Sequence, residues 1–398
     1  MMDTGQEQWR SDTPGCSIRN HLNNAGAALM PVAVMRAMVA HLNLETQIGG
    51  YEAADLQVKK IERSYSDIAT LLATSARNVA IVANATAGFI QAISSFDFAP
   101  GEVIITSRSD YTSNQIQYLA LRERRGVSII HAADLPAGGI DPDSVRDLLK
   151  RHACRLVAVS WVPSNSGLVQ DVEAVGRVCN DFDVPYLIDA CQAVGQIPID
   201  VQKLNCDYLS VTARKFLRGP RGIGFLFASD RALARGDYPL FVDMRGARWV
   251  KAGEFEIDPT ARRFEDWEFP YALVLGLGEA VRYALEVGVS VAQTSAWDLA
   301  AYARSQLRTI PGLRLFDRGR KQCAIVTAAL TGWTGGEIVA ELAKSGINTS
   351  ASLREFGILD FDAKGVDSVV RISPHYYNTR EEIDQLAAAM TDISAKRR

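Results

Sequence analysis

Short apolar runs alternate with longer amphipathic segments through the middle of this 398-residue chain. Continuous apolar runs between helical patterns are typical of strands in a parallel sheet that helices cover on both faces. The predicted strands are Val79–Val82, Glu102–Thr106, Val127–His131, Leu156–Val162, Tyr186–Ile188, Tyr208–Val211 and Gly224–Phe227. The helical patterns between them cover Ala87–Ser95, Asn114–Arg124, Pro142–Arg151 and Val172–Asp181. The pattern predicts an α/β domain, in which ligands bind at the carboxyl ends of the strands.

The pattern differs on both sides of this region. Residues 1–20 contain no long apolar run and are predicted to form a loose tail, followed by helices that start near Pro31 and Ala53. The segment 230–270 is irregular, and beyond it strand and helix patterns form a smaller α+β unit whose last helix begins with a capping box at Thr379. We therefore predict a tail over 1–20, a large domain over 21–270 whose first helices pack on the small domain, and a small domain over 271–398.

Composition narrows the class of protein. A hydrophobic content of 47%, a charged content of 22% and a net charge of -3 suit a globular enzyme and give no basic surface for nucleic acid or an anionic membrane. The N-terminus lacks the apolar core of a signal peptide, and no run reaches membrane-spanning length. The six cysteines are scattered without CxxC pairs, which argues against zinc sites and disulfides. We expect a cytoplasmic protein without a metal, nucleic-acid or membrane partner.

One lysine lies in a turn rich in small residues. Lys215 follows an apolar strand, stands between Arg214 and Arg218, and precedes Gly219-Pro-Arg-Gly-Ile-Gly224. Glycines there let a ligand approach the main chain closely. A lysine among cations loses its proton more easily, as an imine-forming amine must. On its own, the stretch is equally consistent with a solvated basic turn.

The residues that follow two other predicted strands could also bind a ligand. Asp189 ends an apolar strand, where an aspartate serves as a metal ligand, a helix cap or the partner of a cationic ring nitrogen, and no neighbouring cluster supports a metal. Ala85 and Thr86 open a helix after the first predicted strand and could form an anion site, although a simple N-cap by Thr86 is the alternative. An amine, a strand-end carboxylate and an anion site in one sheet match what pyridoxal phosphate requires.

At these residues the chain resembles the class V aminotransferase family, the cysteine desulfurase-like group of fold-type I pyridoxal-phosphate enzymes. The resemblance runs from Leu22–Gly26 to Arg371–Thr379 and is most specific in Asp189–Gln192, Thr212–Lys215 and Tyr377–Asp384. It implies a large domain with a mostly parallel seven-stranded sheet and a smaller α+β C-terminal domain. It also implies an amino-acid substrate and a homodimer with shared active sites.

The resemblance assigns the cofactor contacts residue by residue. Lys215 would form the Schiff base and later move protons at the substrate's Cα, while Asp189 would meet the pyridine nitrogen. Gln192 would meet the phenolic oxygen, and Tyr111 would cover the ring where the family usually has a histidine. Phosphate contacts are expected from Ala85, Thr86, Thr212 and Arg214.

The substrate contacts follow in the same way. Arg371 would bind the α-carboxylate bidentately, and Asn165 would reach either that carboxylate or the phenolic oxygen. Arg263 and Trp267 are expected to reach the cofactor of the neighbouring subunit. Further substrate contacts are expected from Ala25, Gly26, Tyr51 and His375.

Departures from the family pattern point to one branch. The histidine usual before the lysine is Arg214 here, and the region that carries the persulfide-forming cysteine of desulfurases, residues 346–370, contains no cysteine. Cys323 lies before it in a strand pattern and is expected in the core. The motifs at 49–54, 214–224 and 263–267 are most similar to the C–S lyase branch, which includes the ergothioneine-pathway lyase.

That branch implies β-elimination from an S-substituted cysteine or its sulfoxide, which gives pyruvate and ammonia with Lys215 as the base. An epimerase or racemase resembling isopenicillin N epimerase, an aminotransferase, and an inactive pyridoxal-phosphate-binding scaffold are the alternatives. Arg245, Arg248 and Arg354 suggest an acidic substrate, although surface salt bridges explain such residues more often.

Overall fold

The computed structural model describes residues 4–396. The N-terminal part contains α1 Thr4–Ser11, β1 Asn20–His21, α2 Val32–Ile48 and α3 Gly50–Leu72. The central part contains β2 Val79–Val82, α4 Ala85–Ser94, β3 Val103–Thr106, α5 Thr112–Arg125, β4 Ser128–His131, α6 Pro142–Arg151, β5 Cys154–Ser160, α7 Val172–Asp181, β6 Tyr186–Asp189, α8 Val201–Leu204, β7 Tyr208–Thr212, β8 Gly224–Ala228 and α9 Asp230–Arg235.

The C-terminal part begins with a hairpin of β9 Ala247–Lys251 and β10 Glu254–Ile257. It continues with α10 Tyr271–Val287, α11 Val289–Leu307, β11 Leu313–Leu315, β12 Val326–Leu330, α12 Gly335–Lys344, β13 Ile347–Asn348, β14 Ser350–Leu353, α13 Ile358–Lys364, β15 Ser368–Ile372 and α14 Arg380–Ala395. Single 3-10 turns cover Pro14–Ser17, Ala76–Asn78, Ala261–Phe264 and Arg354–Phe356.

The main sheet confirms the predicted α/β architecture. Within residues 4–396 it has seven strands in the order β2-β8-β7-β6-β5-β3-β4. Only β8 runs antiparallel to its neighbours there, and every residue of β2, β3, β6 and β7 is buried. Strands buried on both faces have no polar alternation, and this is why their apolar runs identified them.

The register of the sheet brings several polar strand ends to one edge. Ser160 pairs with Asp189, and Asp189 pairs with Ser210, so β5, β6 and β7 end at nearly the same level. Thr212 closes β7 opposite Gly224. This carboxyl edge is the place where an open α/β sheet presents ligand-binding groups.

The N-terminal segment is ordered, and the prediction of a loose tail over residues 1–20 is wrong for its described part; Met1–Asp3 lie outside the described residues. The Arg10 guanidinium donates to the carbonyl of Tyr377 at 2.8 Å and to the carboxylate of Glu382 at 3.0 Å. The Trp9 ring packs edge-on against Tyr376 with a centroid distance of 5.1 Å. These polar and aromatic contacts order the segment although it has no long apolar run.

The C-terminal part is built on an antiparallel sheet, which in the described chain has the four strands β11-β12-β15-β14. The chain near residue 20 joins this part, because β1 pairs with β13 and Asn23 bridges to Ser373. The predicted division at residue 20 therefore crosses a paired segment. Helix α10 packs on α2 and α3, and the assignment of α10 to a small domain stays a prediction. Thr379 and Glu382 form the predicted capping box.

No helix in residues 4–396 has the length and apolarity needed to cross a membrane. No group of three or more His, Cys, Asp or Glu side chains in that range is arranged to hold a metal ion.

Candidate active site

Lys215 lies in a cavity of about 440 Å³ at the carboxyl edge of the main sheet. Its side chain is buried, with 8% of the residue exposed. Burial lowers the pKa of Lys215; the neighbours Cys191 and Asp189 oppose this shift, and the cations Arg214 and Arg371 add to it. An amine in this setting is held toward its neutral, nucleophilic form.

We therefore predict that Lys215 reacts with an aldehyde at unusually low pH. The rate at which cofactor-free protein forms a Schiff base with pyridoxal should rise with a midpoint well below about 10.4, the ordinary lysine value. The sign follows because a lowered pKa leaves more neutral amine at a given pH. The same measurement on Lys215→Ala gives the background from exposed lysines, and a midpoint at the ordinary value would contradict the prediction.

The glycines beside Lys215 let two backbones approach each other. Gly222 has a φ of 88°, which favours glycine, and it lines the cavity. A Cβ on Gly224 would overlap the carbonyl oxygen of Val211 and would lie 3.3 Å from the backbone carbon of Asn84. These positions bring β8 against β7 and the start of α4.

Arg218 is not among the cations that lower the pKa of Lys215, in contrast to the sequence-based interpretation of a lysine between two cations. It has a φ of 62° and is only 1% exposed. Its guanidinium donates to Thr13 Oγ1 at 2.5 Å, to the Leu29 carbonyl at 2.9 Å and to Tyr376 Oη at 2.6 Å. Arg218 therefore ties the lysine turn to the N-terminal and C-terminal parts, and the cations near Lys215 are Arg214 and Arg371.

Asp189 ends β6 and faces the cavity. Its Oδ1 accepts the backbone N–H of Cys191 at 2.9 Å, and its Oδ2 accepts Asn114 Nδ2 at 3.2 Å. Both oxygens are thereby oriented while the residue still lines the cavity. A fixed carboxylate of this kind can pair with a cationic ring nitrogen.

The start of α4 supplies an anion site on the other side of the cavity. Asn84 is the N-cap, since its Oδ1 accepts the N–H of Ala87 at 3.0 Å, so the alternative of an N-cap by Thr86 is wrong. The residues that line the cavity here are Ala85, Thr86, Thr212, Arg214 and, unforeseen from the sequence, Arg221. Free N–H groups, hydroxyls and guanidinium groups in one place suit a phosphate.

Gln192 and Tyr111 also line the cavity. The Gln192 Nε2 donates to the Ala25 carbonyl at 3.0 Å, while its buried Oε1 has no hydrogen-bond partner in the described chain. The bond to Ala25 fixes the orientation of the amide, so its oxygen is the atom left to accept a hydrogen bond from a ligand. The Tyr111 ring centroid lies 5.9 Å from Lys215 Nζ, as a ring that covers a bound cofactor would.

Arg371 is a buried cation without an acidic partner among residues 4–396. It donates to the carbonyl of Ser164 at 3.0 Å and weakly to Asn23 Oδ1 at 3.5 Å, and its Nε has no partner in that range. Burial lowers the pKa of Arg371 to about 10, and Arg214 adds to this shift. A buried guanidinium with unused donors is suited to receive a carboxylate from a ligand.

Asn165 is buried and is not among the residues that line the cavity, so its predicted contact with cofactor or substrate stays a prediction. Its Nδ2 donates to Asp360 Oδ2 at 3.0 Å, and its carbonyl accepts Lys364 Nζ at 3.2 Å. Asp360 and Lys364 form a buried ion pair at 2.5 Å. Asn165 thus anchors α13 beside the cavity.

Removal of the cation from this ion pair should destabilise the protein. Lys364→Met would leave Asp360 buried without its cation, and we expect the free energy of unfolding to fall by about 3 kcal/mol. Denaturant unfolding measures this change. Asp360→Leu in the same chain should restore part of the loss; an unchanged midpoint for Lys364→Met would show that the pair does not contribute.

His375 is part of the packing and does not face the cavity, so its predicted substrate contact is wrong. It is 0% exposed. Its Nε2 lies 2.8 Å from the Phe216 carbonyl, and its Nδ1 accepts the N–H of Tyr376 at 3.0 Å. Burial lowers the pKa of His375 to about 3, so the ring is neutral and supports the turn after Lys215.

The remaining predicted contacts divide into three groups. Ala25 and Gly26 act through their carbonyl oxygens, which accept Gln192 and Arg214 respectively. Tyr51 and Trp267 are 69% and 46% exposed and do not line the cavity of the single chain, so their contacts stay predictions. Arg263 is wrongly predicted to reach a neighbouring subunit, because its guanidinium is buried on carbonyls of its own chain.

The arginines that suggested an acidic substrate are all paired within the chain. Arg245 donates to Glu265 at 2.6 Å, Arg248 contacts Glu256 at 2.6 Å, and Arg354 contacts Asp362 at 2.5 Å. They provide no sign of an acidic substrate.

The cavity fits pyridoxal phosphate on the chemistry of its own residues. It brings together an amine of lowered pKa, an oriented carboxylate, a helix start with hydroxyls and guanidinium groups, and an aromatic ring. Two buried polar atoms, Gln192 Oε1 and Arg371 Nε, have no hydrogen-bond partner in the described chain; Gln192 lines the cavity, and Arg371 adjoins it through its bond to Ser164.

Comparisons with known proteins agree with this site. The aminotransferase class-V family profile matches residues 20–386. A probable cysteine desulfurase of Methanothermobacter thermautotrophicus is 24% identical over 394 residues, with 98% of each chain covered. An apo cysteine desulfurase structure from Thermococcus onnurineus has a TM-score of 0.89 at 20% identity and covers 99% of each chain.

A third relative is the cystine C–S lyase solved with its reaction product cysteine persulfide; it has a TM-score of 0.85 at 20% identity and covers 96% of this chain and 99% of its own. These structures share the fold-type I architecture. With the family match over most of the sequence, the chain belongs to the class V aminotransferase family and is a pyridoxal-phosphate-dependent enzyme.

Proposed function

We propose that this enzyme is a C–S lyase that removes the sulfur substituent from the Cβ of an S-substituted cysteine or its sulfoxide. The observation that carries the proposal is the segment beside the cavity, 350–364, which meets the site loops at Thr112 and Asn165. It contains no cysteine, and neither does the wider region 346–370. The cysteine desulfurases that this chain resembles carry their sulfur-accepting thiol in that region, whereas β-elimination needs only a base and a leaving group.

Two cysteines outside this region, Cys323 and Cys191, are poorly suited to accept sulfur, which supports the lyase proposal. Burial raises the pKa of Cys323 to about 12, and it is fully buried as expected for a core residue. Cys191 lines the cavity, but burial and the neighbouring Asp189 raise the pKa of its thiol, so it stays protonated and a poor nucleophile.

Arg371, Asp189 and Lys215 would each have a separate role in this reaction. Arg371 would bind the α-carboxylate, and Asp189 would hold the cofactor's ring nitrogen as a cation. The cofactor, when bound, supplies an electron-withdrawing ring. Lys215 would take the Cα proton, the former C–H electron pair would form a Cα–Cβ double bond, and the sulfur group would leave with the Cβ–S electrons. The released aminoacrylate would hydrolyse to pyruvate and ammonia.

A cysteine desulfurase is the second candidate, since curated relatives carry that name and Cys191 faces the cavity. Its products from cysteine would be alanine and a persulfide on Cys191.

The test incubates holoenzyme with a panel of S-alkyl cysteines, their sulfoxides and L-cysteine, and measures pyruvate, ammonia and alanine. The proposal expects equal amounts of pyruvate and ammonia from a substituted cysteine, and none with Lys215→Ala. Alanine with a Cys191 persulfide would favour the desulfurase. Deuterium uptake at Cα without pyruvate would favour the epimerase, and conversion of the bound cofactor to its amine form would favour the aminotransferase. Any of these results without pyruvate would overturn the proposal.

A further inference from the structure

A buried carboxylate outside the predicted site organises one wall of the cavity. Asp110 lies between β3 and α5 and is 6% exposed. Burial raises the pKa of Asp110, and hydrogen bonds from Ser160, Asn114 and the Tyr111 N–H oppose this shift. The carboxylate accepts six donors in the described chain: Ser160 Oγ at 2.6 Å, Tyr111 N at 2.7 Å, Thr106 Oγ1 at 3.0 Å, Tyr118 Oη at 3.0 Å, Asn114 Nδ2 at 3.1 Å and Gln115 Nε2 at 3.2 Å.

Asn114 connects this carboxylate to the one that faces the cofactor. Its Nδ2 donates to Asp110 Oδ1 at 3.1 Å and to Asp189 Oδ2 at 3.2 Å. An amide nitrogen carries two hydrogens, one for each carboxylate, and neither carboxylate can offer a proton to the amide oxygen when ionised. The orientation of the Asn114 amide is therefore set by both acceptors.

The same carboxylate also fixes the residue whose ring covers the cavity. The backbone N–H of Tyr111 donates to Asp110 at 2.7 Å, and Ser160 Oγ lies 3.2 Å from the same N–H. This places the start of α5, and with it the Tyr111 ring, 5.9 Å from Lys215 Nζ.

We propose that Asp110 is a positioning residue: through Asn114 it holds Asp189 in place, and through the Tyr111 backbone it holds the aromatic ring over the cofactor. The inference rests on the cofactor site and not on the proposed cleavage reaction. A loosened Asp189 stabilises positive charge on the cofactor's ring nitrogen less well. Because a positive ring repels the proton of the lysine imine, that proton is then retained to higher pH.

The chain offers a matched pair of variants for the test. Asn114→Leu and Gln115→Leu each remove one amide donor to Asp110 from the same turn of α5, but only Asn114 contacts Asp189. The readouts on reconstituted holoenzyme are cofactor affinity and the pH midpoint of the visible absorption band of the bound cofactor. The neighbouring titratable and charged groups, Lys215, Arg214, Arg371, Cys191 and Tyr118, are unchanged in both variants.

We expect Asn114→Leu to weaken cofactor binding by about tenfold and to raise the pH midpoint by about one unit, the scale of one lost hydrogen bond to a charged group. Gln115→Leu should change the affinity by less than about twofold, because its part-buried amide contacts Asp110 but, in the described chain, not Asp189. Asp110→Asn should shift the midpoint in the same direction, and the two shifts in the midpoint should not add in the double variant, because Asp110 reaches Asp189 through Asn114.

Equal shifts in the two leucine variants, or full additivity in the double variant, would overturn the proposal. Thermal unfolding of the cofactor-free proteins separates misfolding from loss of positioning, and Asn114→Ser replaces Asn114→Leu if the latter does not fold. No measurement uses a sulfur substrate, so failure of the lyase proposal would leave this test intact.

Discussion

Lys215→Ala is expected to lower turnover of any substrate at least about 10³-fold, within the range that a positioned general base provides. The structure gives the reason: Lys215 is the buried amine in the cavity, and the lysine that is buried nearby, Lys364, is already paired with Asp360. The variant should still bind cofactor, because Asp189 and the start of α4 are unchanged.

Steady-state assays with the best substrate measure this loss. Lys203→Ala is the matched control, since Lys203 is exposed and its ion pair in the described chain is with Asp200 on the surface. Residual activity above a few per cent of wild type in Lys215→Ala would show that another group removes the proton.

The second large effect concerns Arg371. Arg371→Leu is expected to lower kcat/KM by about 10²- to 10³-fold, mostly through a higher KM, because it removes the guanidinium proposed to bind the substrate carboxylate. Arg371→Lys keeps the charge but not the two-pronged geometry, and should lie between the leucine variant and wild type.

The stability of the Arg371 variants provides an independent check. An unpaired buried cation is costly, so the cofactor-free Arg371→Leu protein should unfold at a denaturant concentration no lower than wild type. Arg354→Leu is the control, because Arg354 is paired with Asp362 on the surface. A kcat/KM loss of equal size in Arg354→Leu would contradict the assignment.

The sheet and the positions of Lys215 and Asp189 at its carboxyl edge followed from the sequence for a physical reason. Strands buried on both faces are apolar throughout, so a polar residue directly after such a run, such as Asp189, marks the carboxyl edge. Lys215 was found in the same way, from its place after β7. The capping box at Thr379 is local chemistry that needs no tertiary contact.

Side-chain direction was not predictable from the same patterns. Asn165 and His375 lie in segments that border the site, but Asp360 holds the first and the Phe216 carbonyl holds the second. Both partners are distant in sequence, so nothing local revealed these contacts. The contacts of Arg218 with Thr13 were hidden for the same reason.

Asp110 and Asn114 were missed because an aspartate and an asparagine before and within the first turns of a helix look like ordinary capping residues. Their role appears only when β3, β5 and β6 bring Thr106, Ser160 and Asp189 around them. The sheet register decides this arrangement, and strands that are apolar throughout give no polar alternation from which to infer it.

The most direct test of the account is to reduce the holoenzyme with borohydride and to map the modified peptide by mass spectrometry. Reduction converts an imine between lysine and cofactor into a stable amine. We predict one pyridoxyl group per chain, located on Lys215, and none on Lys215→Ala. A label on another lysine, or a reconstituted protein that carries no label, would contradict the assignment of this cavity as the active site.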